Sequence, residues 1–324
     1  MKTYLLPQSG SFYKTNLHCH STLSDGHLSP EELKAAYKAA GYAVLAYSDH
    51  NVLVDHSDLN DETFLAMTAV EIDVKKTGEV SKSYLPTYHV NFFPRDQHQT
   101  ALCCPPKSER RYDQIGELIS GFVQNGFLAM VNHPTWSLQG FEDYRDLEGV
   151  FAMEIYNHGC VTIGYSERND HLYDQLLRAG KPWFCTAIDD AHSKYPIGTA
   201  DSDMFGGFVM VKAQALTQEA IFDALQAGHF YASTGPEIHE LYVDEENKLH
   251  VKTSPAKSIQ FTCAYRHAAV AFPASPHTYL GEAVFDLSAV RPGYVRVTVT
   301  DANGNQAWSQ PLFGNFSGKV QDEL

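Results

Sequence analysis

The sequence has few basic residues, no long apolar run and no CxxC cysteine pair. Its 24 Lys and Arg residues against 39 Asp and Glu residues leave a formal net charge of −15. This balance argues against an extended nucleic-acid interface, because phosphate binding depends largely on Lys and Arg. It leaves room for a local basic pocket.

The apolar runs are too short for secretion or membrane insertion. The N-terminal segment MKTYLLPQSGSFYK has only a very short apolar run, and no later run approaches the roughly 18 residues of a membrane span. The six cysteines, at positions 19, 103, 104, 160, 185 and 263, suit free thiols in a reducing compartment. We therefore expect a cytoplasmic protein.

The composition is that of an ordinary soluble globular protein, with 44% hydrophobic and 19% charged residues. A chain of 324 residues is long enough for one large α/β domain and a small second domain.

The clearest helix signal is SPEELKAAYKAAG, over residues 29–41. Ser29 can cap the helix, Pro30 suits its first position and Glu32 completes a capping box. Gly41 can adopt the left-handed conformation that ends a helix. The following YAVLAYSDHN then predicts a buried strand with polar residues at its end.

The same order of helix, glycine, apolar run and polar residues returns three times. The pairs are IGELISGFVQNG with FLAMVNHP, DHLYDQLLRAG with KPWFCTAIDDAH, and EAIFDALQAG with HFYASTGP. Further strand candidates lie at 64–72, 88–93 and 150–157. Apolar strands separated by helices indicate a parallel sheet. About seven such units in roughly 230 residues predict an α/β fold, in which a closed or distorted TIM-like β/α barrel fits better than an open sheet.

The pattern changes near Gly235 and Pro236. Later segments such as YVRVTVTD alternate apolar with polar residues and are joined by Asn, Gly and Pro turns, which predicts a small antiparallel β-sandwich. We therefore predict a barrel domain over residues 1–235, a sandwich over 236–316 and a polar tail over 317–324.

Potential metal ligands follow the predicted barrel strands, at the rim that carries the active site of α/β barrels. In NLHCHSTLSDG, strand geometry places His18 and His20 on one face and Cys19 on the other. Nine nitrogen and oxygen donors form the set: His18, His20, Asp25, His50, Glu71, His89, His133, Asp190 and His192. They exceed what one cation can use, so we expect two or three divalent ions such as Zn²⁺, Mn²⁺ or Fe²⁺.

Each candidate alone has a plainer interpretation. Glu71 can pair with a lysine if it is buried. His89 and His133 can be ordinary core or loop histidines, and Asp190 and His192 can bond to each other. The convergence of donors from five strands on one rim favours the metal site over these separate explanations.

The order of the motifs resembles the polymerase and histidinol phosphatase (PHP) superfamily of metallohydrolases. Residues 13–235 contain HCHSTLSDG, YSDHN, VEI, HVNFF, NHP and DDAH in that order. NHPTW, MEIYN, GHFYASTGP and the later AWSQPLF look most like the branch that includes carbaryl hydrolase-like proteins. The resemblance implies a distorted seven-stranded β/α barrel that holds up to three metals.

The same resemblance implies a ligand set for each metal. His18, His20, Glu71 and Asp190 would hold the first. Glu71 would bridge to a second metal held by His89 and His133, and the third would be held by Asp25, His50 and His192. An insertion-like stretch separates Glu71 from His89, and His98 in the loop-like RDQHQT is the alternative ligand.

Such a cluster most naturally activates water for hydrolysis, because a cation lowers the pKa of water to about 7. We expect cleavage of a small phosphate monoester or diester. Carbamate, ester or amide hydrolysis stays open, as does a non-catalytic regulatory metal-binding module.

The catalytic candidates are Asp25, Glu71, His192 and His158, with His158 as the acid that protonates the leaving group. The candidates for substrate contact are Asn157, Arg168 and Lys194. The expected partner is a small phosphorylated molecule rather than extended nucleic acid or a membrane, and no pattern indicates an oligomeric state.

Overall fold

The computed structural model describes residues 2–78 and 81–316 of the chain. Its strands are β1 Thr3–Tyr4, β2 Ser11–Asn16, β3 Val44–Tyr47, β4 Leu65–Thr68, β5 Val70–Lys75, β6 Thr87–Pro94, β7 Phe127–Val131, β8 Val150–Asn157, β9 Phe184–Ile188, β10 Phe208–Ala213, β11 Phe230–Ser233, β12 Ile238–Val243, β13 Lys248–Ala256, β14 Ser258–Cys263, β15 Ala268–Ala271, β16 Leu280–Asp286, β17 Gly293–Thr300, β18 Gln306–Ser309 and β19 Leu312–Gly314. Its α-helices are α1 Pro30–Ala39, α2 Ile115–Gln124, α3 Phe141–Tyr144, α4 His158–Thr162, α5 Asp170–Arg178 and α6 Gln218–Gln226. The predicted polar tail, 317–324, lies outside the described residues. Within the described ranges, no helix has the length and apolar character needed to cross a bilayer.

The first helix forms where its capping signals predict it. The Ser29 hydroxyl accepts from the Glu32 amide at 3.3 Å, and the Glu32 carboxylate accepts from the Ser29 amide at 2.8 Å. Gly41 follows the helix with a φ of +80°. The three later helix–glycine–strand units are also present, as α2 with β7, α5 with β9 and α6 with β11.

The strands form three sheets in a mixed α/β arrangement. The ten-stranded sheet has the order β15-β14-β17-β18-β11-β10-β2-β3-β4, with β19 paired to β17. The five-stranded sheet has the order β5-β6-β7-β8-β9, and the four-stranded sheet has the order β1-β12-β13-β16. The parallel pairs near the site are β2 with β3, β3 with β4, β7 with β8, and β8 with β9.

The predicted parallel order does not hold at β6. This strand pairs antiparallel with both β5 and β7. A parallel pair needs a crossover of about a dozen or more residues, usually with a helix. Residues 76–86 connect β5 to β6, and the described part of that connection contains no α-helix. The closed (β/α)7 barrel stays a prediction, because the strands around the site lie in two sheets rather than one continuous ladder.

Two isolated backbone bridges bring these sheets together at the site. Cys19 pairs with Ala191, and His50 pairs with Glu71. Cys19 lies in the apolar cluster that contains Leu33 and Tyr37. His18 and His20 on either side of it turn to the opposite face, as the predicted alternation requires.

The strands after residue 236 pair antiparallel, as predicted. Two of the pairings cross the predicted domain boundary, since β1 adds to β12 and β18 pairs with β11. The ten-stranded sheet therefore runs from the site-bearing part of the chain into its C-terminal part. The division into two domains stays a prediction.

Candidate metal centre

Four predicted ligands meet in the interior with their donor atoms in mutual contact. His18 Nε2 lies 3.1 Å from His20 Nε2, and each of these nitrogens lies 3.2 Å from Asp190 Oδ1. Glu71 Oε1 lies 3.4 Å from His18 Nε2, and Glu71 Oε2 lies 3.3 Å from His20 Nε2. All four side chains are buried.

These separations fit a small divalent cation. A tetrahedral ion bound at about 2.1 Å from each donor holds its donors about 3.4 Å apart. His18 Nδ1 lies 2.7 Å from Glu154 Oε1, so a neutral His18 that donates there keeps its lone pair on Nε2, toward the other donors. The combination of imidazole nitrogen and carboxylate oxygen suits Zn²⁺, Mn²⁺ or Fe²⁺.

Further donors surround this inner set and share Glu71 and the two inner histidines. Three more groups have donor atoms within 4.8 Å of one another: His18, Glu71 and His133; His50, Glu71 and His89; and His20, Asp25, His50 and His192. Glu71 Oε1 lies 2.9 Å from His89 Nδ1 and 3.4 Å from His133 Nε2. Glu71 thus occupies the central place predicted for a bridging ligand. His89, which the resemblance groups with His133, also lies beside His50.

Two ring nitrogens of the centre are buried without a hydrogen-bond partner among residues 2–78 and 81–316. One is His89 Nε2. The other is His50 Nδ1, which lies 2.9 Å from Glu71 Oε2 but without hydrogen-bond geometry. An unpaired buried polar atom is costly, so these nitrogens indicate that the centre is built to meet a further group.

The charges of the centre favour ionised carboxylates. Burial would raise the pKa of the Glu71 and Asp190 carboxyls, but the surrounding imidazoles hold both well below their ordinary values. Burial would also lower the pKa of His192, but the Asp25 carboxylate, whose Oδ1 lies 3.6 Å from His192 Nε2, raises that pKa to about 9. Burial would lower the pKa of His133 as well, but the Glu71 and Asp190 carboxylates raise it to about 8. Protons on His133 and His192 therefore supply positive charge that bound cations would replace, with release of those protons.

Glu154, in β8, supports the centre and was not predicted from the sequence. Its fully buried carboxylate lies 2.7 Å from His18 Nδ1, and it accepts from the His133 amide at 2.7 Å and from Asn157 Nδ2 at 2.9 Å. One side chain thus orients the His18 ring and fixes the backbone of His133. A carboxylate inside the apolar run VFAMEIYN was the available signal, as it was for Glu71 in AVEIDV.

We expect Glu154→Gln to weaken divalent-cation binding about 10- to 100-fold, the usual cost of changing a partner that orients a metal ligand. The amide keeps the shape of the side chain but removes its negative charge. Competition with a chromophoric chelator, titrated with Mn²⁺ and with Zn²⁺, measures the affinity directly. Glu237→Gln, at a side chain that is 56% exposed, should leave the affinity unchanged. Equal affinities in Glu154→Gln and the unmodified protein would reduce Glu154 to a packing role.

Two other buried carboxylates hold the loops that carry donors. Asp49 accepts from the Ser21 amide and hydroxyl, both at 2.8 Å, and from the Ser24 hydroxyl at 2.7 Å. Asp203 accepts from the His192 amide at 2.7 Å. These bonds tie the segments that present Asp25 and His192 to the rest of the site.

The outer donors open into a cavity of about 600 Å³. Its walls include seven of the predicted ligands and one predicted substrate contact: Asp25, His50, Glu71, His89, His133, Asp190, His192 and Lys194. Trp136 forms another wall, with its ring centroid 5.1 Å from that of His89 and 4.9 Å from that of His133. The cavity therefore combines the donor set with a cationic and an aromatic side chain.

Two predicted residues, Asn157 and His158, lie where β8 ends and α4 begins. Asn157 is fully buried and donates to Asp190 Oδ2 at 3.1 Å, which makes it a support for that carboxylate. His158 bonds to the Tyr156 hydroxyl at 3.0 Å and packs against Gly206. Neither residue belongs to the cavity walls.

Two further candidates point elsewhere. Arg168 is exposed and donates to Gln306 Oε1 at 2.7 Å. His98, the alternative to His89, is exposed and bonds to Asp55 at 2.7 Å. The donor groups contain His89 and do not contain His98.

No family model matches the chain. It is 36% identical over 195 residues to a 5′-3′ exoribonuclease of Haemophilus influenzae, which corresponds to 56% of this chain and 65% of that relative. The chain therefore spans less than two thirds of the length of the curated relative it matches.

Two solved structures show lower similarity. One is a two-domain protein of Bacteroides vulgatus that contains a predicted PHP-like metal-dependent phosphoesterase, with 14% identity, a TM-score of 0.48 and coverage of 95% of this chain and 98% of that chain. The other is an amidohydrolase of Chromobacterium violaceum, with 15% identity, a TM-score of 0.41 and coverage of 55% of this chain and 87% of that chain. At these levels the similarities do not assign a fold or an activity.

Proposed function

We propose that the chain is a metal-dependent hydrolase of the PHP superfamily, with a distorted (β/α)7 barrel, that cleaves a small phosphate monoester or diester. The proposal depends mainly on the contact of the His18, His20, Glu71 and Asp190 donor atoms at 3.1–3.4 Å. The order of the sequence motifs supports the superfamily. The exoribonuclease relative supports a phosphoester as the substrate.

The residues divide into holders of cations and residues that position the substrate. His18, His20, Glu71 and Asp190 would hold one cation; His89 and His133, with Glu71, a second; and Asp25, His50 and His192 a third. Divalent cations in such a site lower the pKa of water to about 7 and stabilise charge on an attacked phosphoryl oxygen.

The chain's own residues supply orientation. Glu154 fixes the ring of His18, and Asn157 fixes the carboxylate of Asp190. The Lys194 ammonium, on the cavity wall, would attract a phosphate oxygen. Asp25, Glu71 and His192 stand at the cavity as the predicted catalytic residues, whereas His158 lies outside it and has no part in the proposed reaction.

A short RNA is the second candidate substrate. It is favoured by the exoribonuclease relative and by Trp136 in the cavity wall, because an aromatic ring can stack on a base. The net charge of −15 still disfavours a long nucleic-acid footprint. Only the end of the RNA chain would need to enter the cavity.

The test is turnover by the purified chain with Mn²⁺ or Zn²⁺ supplied. The panel contains aryl phosphates, bis(4-nitrophenyl) phosphate, a 5′-phosphorylated oligoribonucleotide and aryl carbamates. We expect hydrolysis of at least one phosphoester, its loss after dialysis against EDTA, and its return when the metal is restored.

The other outcomes identify the alternatives. Hydrolysis of the aryl carbamates without hydrolysis of any phosphoester would favour the carbamate, ester or amide hydrolase over the phosphoesterase. Tight cation binding with no turnover of any substrate would favour the non-catalytic regulatory module.

A further inference from the structure

A second, basic cavity adjoins the candidate metal centre. It has a volume of about 340 Å³, and its walls include Asp73, Lys75, Lys107 and Arg110. Asp73, Lys75 and Lys107 also belong to the walls of the central cavity. The two cavities therefore meet along these three residues. We call the smaller one the basic annex.

The charge of the annex is opposite to that of the whole chain. Among the described residues, its walls carry four cationic side chains, those of Lys75, Lys76, Lys107 and Arg110, and one carboxylate, that of Asp73. These formal charges sum to about +3, in a chain whose net charge is −15. An acidic protein repels an anionic molecule at long range, so local cations decide where such a molecule can bind.

The annex contains one cationic side chain that is held by hydrogen bonds and another that is exposed. The Arg110 guanidinium is held in place, since it donates to the Asn51 side chain, to the Pro105 carbonyl at 3.0 Å and to Cys104 Sγ at 3.4 Å. The Lys75 side chain is 50% exposed, and its ammonium stands 3.9 Å from the Asp73 carboxylate. An exposed lysine on a flexible stem can reach a phosphate or carboxylate as a point charge.

Lys107 has a different task from Lys75 and Lys76. Its ammonium lies 2.8 Å from Asp73 Oδ1, and the Asp73 side chain is only 3% exposed. Removing Lys107 would take the nearer of two cations from this buried carboxylate, which is destabilising in itself. Lys75 and Lys76 are therefore the residues whose removal tests the annex without this effect.

We propose that the basic annex binds a second anionic group of the substrate while the first, the scissile phosphoester, lies at the metal centre. The inference depends on the proposed function for the first group and adds a preference for substrates with two anionic groups, in which a phosphate or carboxylate lies beyond the reacting ester. Glu71 and Lys75 lie four residues apart on β5, which corresponds to about 13 Å of strand. The two anionic groups should therefore be separated by roughly this length.

Binding of non-hydrolysable probes tests the annex without any turnover. The probes are biphenyl-4-ylmethylphosphonate, 4,4′-biphenylbis(methylphosphonate), and the analogue of the first probe with a 4′-carboxylate. Calorimetry with the Mn²⁺-loaded full chain should show that a probe with two anionic groups binds about fivefold tighter than the monophosphonate, a gain typical of two exposed ion pairs. The tighter of the two probes with a second anionic group identifies the preferred group.

The matched variants are Lys75→Gln/Lys76→Gln and Lys248→Gln/Lys252→Gln. Both remove two positive charges, but the second pair lies on β13 and outside both cavities. The first variant should lose the fivefold preference, whereas the second should keep it. Equal binding of all three probes by the unmodified chain would contradict the proposed role of the annex. An equal loss of the fivefold preference in both variants would contradict it too.

The proposed function can fail separately. If a probe with two anionic groups binds through Lys75 and Lys76 but no phosphoester is cleaved, the proposed role of the annex is supported and the phosphoesterase proposal is wrong. If phosphoesters are cleaved but the lysines have no effect on probe binding, the reverse holds.

Discussion

His20→Ala is expected to reduce the rate of hydrolysis by more than about 100-fold. Removing a residue that only orients a metal ligand already lowers metal affinity or activity about 10- to 100-fold, and His20 is itself a proposed ligand. His20 Nε2 contacts three inner donors, and His20 Nδ1 lies 3.6 Å from Asp25 Oδ1. The one ring therefore joins two donor groups. Steady-state turnover of a phosphoester and metal content by X-ray fluorescence measure the two consequences, and both should fall.

The control for this prediction is His98→Ala. It removes an exposed imidazole that bonds to Asp55 and lies outside the donor groups, so turnover and metal content should stay within twofold of the unmodified chain, a change worth about 0.4 kcal/mol. Circular dichroism must show that both variants are folded. A folded His20→Ala protein with full activity would exclude this site as the active centre, and loss of activity in His98→Ala would restore His98 as the candidate ligand in place of His89.

The largest expected loss of stability is for Arg296→Met. Arg296 lies on β17 and is only 3% exposed, and its guanidinium donates to both oxygens of Asp174 on α5, at 2.8 and 3.0 Å. The Tyr294 hydroxyl donates to the same carboxylate at 2.9 Å. Removing the cation leaves Asp174 largely buried without its charge partner, which should lower the free energy of unfolding by about 3 kcal/mol. Urea unfolding followed by circular dichroism measures this change.

An exposed ion pair provides the comparison. Arg145→Met removes the cation of a pair with Glu142, in which the two side chains are 46% and 79% exposed. Water screens such a pair, so the free energy of unfolding should change by less than about 1 kcal/mol. If Arg296→Met were no more destabilising than Arg145→Met, the ion pair between α5 and β17 would not contribute to joining the two parts of the chain.

The ion pair of Arg296 matters for the site because of its position. α5 lies between β8, which carries Glu154, and β9, which leads to Asp190. β17 belongs to the sequence region predicted as a separate sandwich, and β18 beside it pairs with β11. The C-terminal strands thus brace the elements that carry the centre.

The local features of the chain were predictable because their causes are local. A capping box and a terminal glycine define α1, and a run of apolar residues ending in a polar one identifies β8 over Val150–Asn157. The alternation of His18, Cys19 and His20 follows from strand geometry alone. Candidate ligands could be chosen by their chemistry and by their places after strands.

The supporting contacts could not be predicted in the same way. Glu154 and its partner His18 share no sequence motif, since the two residues are separated by 136 positions in the chain. Asp49, 28 positions from Ser21, is likewise a partner that only folding reveals. His158 and Arg168 have residue types that suit an active site, yet their side chains point to Tyr156 and Gln306.

The sequence by itself determined the elements, the apolar strands and the chemical identity of the donors, because helix caps, periodicity and side-chain chemistry act over a few neighbouring residues. The tertiary structure alone decided the antiparallel direction of β6, the common sheet that joins the N- and C-terminal parts, and which donors touch. Those outcomes depend on packing between residues far apart in the chain, where an ångström decides whether two nitrogens and two carboxylates can share one ion.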